Sequence, residues 1–275
     1  MLGFGEAPTA RLAHEALSKR IADNPHVTVV DRDQAVAAAN GVGYRRSLNL
    51  SLQEARDLGS AIGCDFFVLG EADTLRRSPS DGPSYFESYA SLFIVSGRTG
   101  RLVMWEKQIA NRPTAENAER ALLAQLSAAA IDRYVKAILR AAEDEKAERA
   151  ARVEDPPTVI EVMPNEELED HDTPTPGPEN PSPSRARPPR PFRRLKPAYP
   201  EAAAHARVEA VVDVLVDVDE KGEVSRAEIA RWAGYGLDES VLTTVKQLHF
   251  FPAMRAGRAI PMRVLLRYNF RKPKE

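Results

Sequence analysis

The chain of 275 residues has a single cysteine, Cys64, so it forms no internal disulfide, and nothing in its cysteine usage identifies a redox compartment. Lying in an apolar run, Cys64 reads as a buried thiol. The five histidines (His14, His26, His171, His205 and His249) are scattered, nowhere at the spacing that metal ligands need. No stretch of eighteen apolar residues occurs, and the N-terminus has neither a basic leader nor an apolar signal region. Gly41-Val42-Gly43 and Gly97 to Gly100 lack the lysine and the strand-to-helix context of a phosphate loop, so they read as turns. Asp65, Glu71 and Glu87 sit near expected strands, but nothing specifies an acid–base couple in a polar pocket. A net charge of −2 with 28% charged residues demands no polyanionic partner. No cofactor or metal is expected, and the sequence points to binding rather than catalysis.

What is present is most informative over the last eighty residues. From Val208 to Asp219 every even position is apolar, while odd positions alternate between acids (Glu209, Asp213, Asp217, Asp219) and apolar residues (Val211, Leu215). That period of two predicts a strand with one buried and one mixed face. Asp219-Glu220-Lys221-Gly222 is a polar turn, so Glu223 to Ala230 returns antiparallel. Asp238 precedes Val241, Leu242, Val245 and Leu248 and is placed to cap a helix; Pro252 stops it. Ile260 to Phe270 is a third strand, with Met262, Val264, Leu266, Tyr268 and Phe270 on one face and Arg263, Arg267 and Asn269 on the other.

Tyr199-Pro200 with Ala202, the V-x-V-x-V-D strand, the turn glycine, Leu237-Asp238, F-x-P-A-x-x-x-G (Phe250 to Gly257) and the closing strand together resemble the C-terminal domain of the TonB energy-transducer family, over about residues 195–272. Arg207-Val208 replaces the small residue often found before the strand, and Phe250 doubles the aromatic before Pro252. The resemblance implies a periplasmic domain that grips an extended segment of an outer-membrane receptor by adding it as a strand. An edge strand offers unpaired N–H and C=O groups to any extended partner. Carried over by position, Met262, Arg263, Val264, Leu265, Leu266, Arg267 and Tyr268 form the recruiting edge, left open, and Tyr199 and Pro200 lie in the segment running toward the bound peptide. Arg263 and Arg267 are expected to attract acids flanking that peptide. Such a transducer also needs an inner-membrane helix and motor complex. None is encoded here, so either a membrane anchor lies upstream or the protein is an unpowered envelope adaptor.

Thirteen of the twenty-one prolines fall between Asp155 and Pro200. So proline-rich a stretch, poor in aromatics, is expected to remain extended as a linker. Glu143 to Asp172 is strongly acidic, whereas Arg185, Arg187, Arg190, Arg193, Arg194 and Lys196 form a basic block without an acid. The block reads as solvated linker, with contact to anionic envelope polymer or lipid as the alternative. Nucleic acid is not expected, because Phe192 is the block's only aromatic.

Upstream, Arg11 to Ile21 predicts a helix and Val27 to Asp31 a short buried strand. Asp31 caps a helix through Ala39, and Ser51-Leu52-Gln53-Glu54 is a capping box for another to about Ile62. Cys64 to Gly70, Ser84 to Val95 and Leu102 to Ile109 predict strands, and Ala115 to Ala150 one long helix. Its apolar stripe stops at Arg140, so its end is expected to project and fray. The Val-Val-Asp-Arg series, the S-L-x-E-A-x-x-L-G-x-x-x-G-x-D-F-x-x-x-G run (Ser51 to Gly70) and Gly97-Arg98-Thr99-Gly100 resemble the curli-assembly (CsgG) and TolB N-terminal superfamily. Met1 to Glu6 is similar to the end of that domain's first strand. The resemblance implies an anticodon-binding-domain-like α/β fold serving envelope assembly.

The expected architecture is thus a two-domain α+β and α/β chain. Residues 1–140 form the CsgG/TolB-like domain, 141–195 a charged helix extension and proline-rich linker, and 196–275 a TonB-like three-stranded antiparallel sheet with one main helix. The expected function is a non-enzymatic envelope protein of the periplasm that binds an outer-membrane receptor peptide, or another periplasmic protein, to support energy-coupled transport. The alternative is an assembly adaptor whose N-terminal domain forms a homo-oligomer or docks a partner. An enzyme on the N-terminal domain would require a polar cleft there.

Overall fold

The computed structural model describes residues 1–151, 160–162 and 187–272, which fall into two compact units, Met1–Val153 and Glu154–Glu275. In the first, α1 (Pro8–Ala22), α2 (Arg32–Gly41) and α3 (Leu52–Ile62) precede an antiparallel meander of β1 (Phe66–Arg77), β2 (Tyr85–Ser96) and β3 (Leu102–Arg112). The helices α4 (Ala115–Gln125) and α5 (Ala128–Ala151) follow. Val68, Ala72, Ala90, Leu92, Ile94 and Ala110 share one sheet face and pack with Phe4, Leu17, Leu122 and Tyr134 into one core. The helix starts follow the caps. Asp31 accepts from the amides of Asp33 and Gln34, and Ser51 and Glu54 form the full capping box. The Leu2 amide donates to Val68 and the Ala72 amide to Phe4, so the first residues run parallel along the outer edge of β1.

Three expectations for this unit are corrected. Val27 to Asp31 is not a strand: Val27 packs against the core, but Thr28 and Val29 are exposed, Val29 37% accessible, and among the described residues no strand pairs with the segment. The helix expected from Ala115 to Ala150 breaks at Leu126-Ser127, where the buried Leu126 leaves the helical conformation (ψ 48°). Its charged end does not project. Glu145 accepts from the Thr99 hydroxyl at 3.1 Å, and Glu148 pairs with Arg101 at 2.8 Å, which hold it beside the β2–β3 turn.

The second unit contains β4 (Ile160–Val162), β5 (Arg190–Pro191), α6 (Glu201–Ala206), β6 (Ala210–Val218), β7 (Val224–Arg231), α7 (Leu237–Val245), β8 (Phe250–Phe251), β9 (Ala253–Arg255), β10 (Arg258–Ile260) and β11 (Met262–Phe270). The main sheet has the order β4-β11-β6-β7, antiparallel except for the parallel β4–β11 pair. Val212, Val214, Val216 and Val218 of β6 are buried together with Trp232, Leu237, Val241, Val245 and Val264, as the alternation requires. The expected strand from Ile260 is divided at Pro261, which has no N–H for a ladder; the part before it pairs with β9 in a separate hairpin.

The upstream boundary also moves. Arg187 exchanges backbone hydrogen bonds with Met254 at 2.7 and 3.0 Å, and the Phe192 amide donates to His249. Residues 187–192, expected as linker, are therefore paired to the domain; Arg185 and the other linker positions outside 160–162 and 187–195, after Ala151, lie outside the described residues. The doubled aromatic is accounted for here. Phe250 is fully buried, whereas Phe251 is half exposed and stacks on Phe192, centroids 4.1 Å apart.

Asp238 does not cap α7. Its carboxylate turns back to accept from the amides of Ala233 (2.9 Å) and Gly234 (2.8 Å), fastening the connector after β7. Burial pushes its pKa up to about 6, against the opposing pull of those two amides. A folded-state pKa above the unfolded value means that the native domain binds the proton more tightly. The contribution is therefore greatest below about pH 4 and declines until about pH 6, by roughly 3 kcal/mol in all. Urea titrations at several pH values check this: Asp238→Asn should remove that part of the slope, since an amide does not titrate.

Candidate partner-binding edge

The candidate site is the side of β11 that faces away from β6. Along its other side β11 is paired with β6 throughout, from Met262 opposite Val218 to Phe270 opposite Ala210. The cross-strand pairs Arg263–Asp217 and Arg267–Asp213 fall directly opposite each other in that register. Both are bidentate, with Arg267 donating to the two Asp213 oxygens at 2.8 and 3.0 Å and Arg263 gripping Asp217 in the same way. Asp213 is 5% accessible and also lies 3.5 Å from Arg231. The two arginines expected to recruit acids from a partner are thus first of all clasps across the sheet.

This gives a prediction. Arg267→Ala leaves the buried Asp213 with Arg231 alone, and should destabilise the C-terminal domain by about 1–2 kcal/mol, read as a lower urea midpoint. Reversing both arginines puts like charges opposite one another and should unfold the domain before it alters association.

Tyr199 and Pro200 are also committed within the domain. The Tyr199 hydroxyl donates to the Val208 carbonyl, and its ring lies 6.0 Å from that of Phe270. Pro200 is the N-terminal flank of α6, and the Ser240 hydroxyl donates to the Ala198 carbonyl at 2.7 Å. The pair therefore braces the sheet where β6 begins and β11 ends. Met262, Leu265, Leu266 and Tyr268 are half-buried, and Val264 is fully buried.

The expectation of an open edge is corrected. Ile160–Val162 pairs in parallel with β11, Ile160 opposite Arg263, Glu161 opposite Val264 and Val162 opposite Leu265. Part of the edge is thus covered by this chain's own backbone, while Leu266 to Phe270 has no such partner in the sheet as described. The signal was in the sequence: Val159, Ile160 and Val162 form a β-branched run between Pro157 and Pro164. The surrounding proline density concealed it.

The N-terminal unit keeps Asp65 apart from Glu71 and Glu87, whose charges both act on Tyr89 and Lys107. Asp65 is exposed 3.3 Å from Arg98, Glu71 stands opposite Ser91 midway along β1, and Glu87 is buried against Arg77 at 2.7 Å. At ~3.3 Å per residue, Asp65 and Glu71 are about 20 Å apart along the chain. Among the described residues no group of three or more His, Cys, Asp or Glu side chains could hold a metal ion, and no helix is long and apolar enough to cross a membrane.

Residues 196–271 match the family model described as Gram-negative bacterial TonB protein C-terminal. The C-terminal part of this chain is TonB-like. The solution structure of the Pseudomonas aeruginosa TonB C-terminal domain is similar at 20% identity, over 32% of this chain and 89% of that one, with a TM-score of 0.28. No curated protein matches the chain.

Proposed function

We propose that this protein is a non-enzymatic, TonB-type component of a Gram-negative envelope, whose C-terminal domain binds an extended segment of an outer-membrane receptor along β11. The family match over residues 196–271 supports the domain type. The observation that carries the binding mode is the parallel ladder of Ile160–Val162 on β11. This edge takes a strand three residues long, in the very position a partner segment would occupy. In this reading Met262 to Tyr268 supplies main-chain groups, Arg263 and Arg267 keep β11 fixed to β6, and Tyr199-Pro200 braces its end. Because recognition is main chain to main chain, the partner's sequence is read weakly. The N-terminal domain serves as a docking module of the CsgG/TolB type, in keeping with its capped helices and the Ser51 to Gly70 series.

Binding of the full chain to a fluorescent peptide from the periplasmic segment of a TonB-dependent receptor tests this. The peptide should bind, and prolines at two successive positions should abolish binding, because one of the two must replace an amide that faces β11. A proline-bearing peptide that binds equally well rules out strand addition.

A further inference from the structure

The strand on the β11 edge belongs to a segment whose composition sets it apart from the domain it pairs with. Residues 153–184 contain nine acids and no lysine or arginine, whereas residues 187–275 carry seventeen Lys and Arg against eleven Asp and Glu. Opposite charge therefore draws the acidic stretch toward the basic domain. Within that stretch, Thr158 to Met163 has the strand-forming residues, and Pro157 and Pro164 bound the length that can continue a ladder. Of it, Ile160–Val162 is what pairs with Arg263 to Leu265. Twenty-four residues, 163–186, separate it from the next paired position, Arg187. A tether of that size presents a strand at an effective concentration on the order of millimolar.

We propose that Ile160–Val162 is a resident strand that closes the β11 edge, and that a partner segment binds by displacing it. The inference rests on the strand-addition reading above and adds two things to it. It makes the edge self-inhibited, so that the partner's apparent affinity is reduced by the share of molecules in which the edge is closed. It also specifies the chemistry of the competitor: a short extended segment running parallel to β11, rich in β-branched residues, with an acid among or beside them, as in Val159-Ile160-Glu161-Val162. A three-residue ladder is short enough to release, and pairing with a longer segment would extend along Leu266 to Phe270.

The probe is a capped synthetic peptide of residues 157–164, fluorescently labelled and titrated into two full-length chains. One is wild type; the other carries Ile160→Pro and Glu161→Pro: successive amides of a strand point to opposite sides, so one of the two prolines removes a donor that faces β11. Amide exchange of Val264 and Leu265 is followed in both free chains. The expected result is binding at least about tenfold tighter to the double variant than to wild type, with faster amide exchange at one of those two positions in the variant. Equal affinity, with unchanged exchange, overturns the resident strand and leaves strand addition standing. A peptide that binds neither chain overturns both. Raising the salt from low to physiological should narrow the difference between the chains, since charge helps to hold the resident segment.

Discussion

Replacing Gly222 with valine is expected to unfold the C-terminal domain while the N-terminal domain keeps its own transition. Gly222 closes the β6–β7 turn at φ +83°, a conformation that costs a branched residue about 1–2 kcal/mol. The larger cost is spatial: a Cβ there would stand 1.8 Å from the Phe250 carbonyl oxygen. That oxygen is main chain and cannot rotate away. The turn and β8 would have to separate, breaking the 2.8 Å bond from the Phe250 amide to the Gly222 carbonyl and unseating a fully buried phenylalanine. Lost packing and hydrogen bonding add about 3 kcal/mol, for a total near 4 kcal/mol or more. For a domain of this size that is a drop of roughly 15 °C or more in Tm, measurable by circular dichroism. Gly257 supplies the control. It has a similar φ of +77° with no atom within 4 Å of an added Cβ, so Gly257→Ala should cost only about 1 kcal/mol. Equal effects at the two positions would show that the contact with Phe250 is unimportant.

The second large effect is expected from prolines in β11. Successive residues of a strand direct their amides to opposite sides, so one of Val264 and Leu265 donates toward β6 and the other toward the β4 side. Proline at the first position removes a bond from the β6–β11 ladder and should destabilise the domain by about 3 kcal/mol. Proline at the second should leave the domain folded. Its missing donor and protruding ring should weaken binding of a receptor peptide by about 2–3 kcal/mol, some 30- to 100-fold. The diagnostic result is the divergence between the two variants, one losing stability and the other losing binding. Two variants that both stay folded and both bind as wild type would move the docking surface away from β11.

The residues that announced themselves in the sequence were those whose conformation is fixed locally or by simple alternation. The valines of β6 sit inside because a period of two admits no other register, and Ser51 with Glu54 starts α3 through bonds made within four residues. Misreadings arose where tertiary surroundings decide. Val27 to Val30 has strand-forming side chains but no sheet to join, and Leu126-Ser127 breaks a helix without glycine or proline because Leu126 is drawn into the core. Asp238 looked like a cap by position, yet the positive-φ connector at Gly234, Tyr235 and Gly236 turns the Ala233 and Gly234 amides toward it. The basic block looked like linker by composition, although Arg187 to Phe192 pairs with the segment around Phe250.

The candidate site was legible in its strand and illegible in its state. Position and alternation identified β11 and its two faces. Whether its outer side is free depends on Ile160–Val162, about a hundred positions upstream, within a stretch whose prolines argue for no structure at all. Arg263 and Arg267 carried the same ambiguity. As charges on an outward face they suggested steering, and only the register with β6 shows that Asp217 and Asp213 stand opposite them.

Residue-resolved amide hydrogen exchange on the full chain, with and without a receptor-derived extended peptide, bears most directly on what this domain does. Exchange should slow at alternate positions between Met262 and Tyr268, those whose amides point away from β6, and should remain unchanged at the intervening ones. Protection that appears instead around the exposed Phe192–Phe251 pair, or nowhere in the domain, would contradict the account.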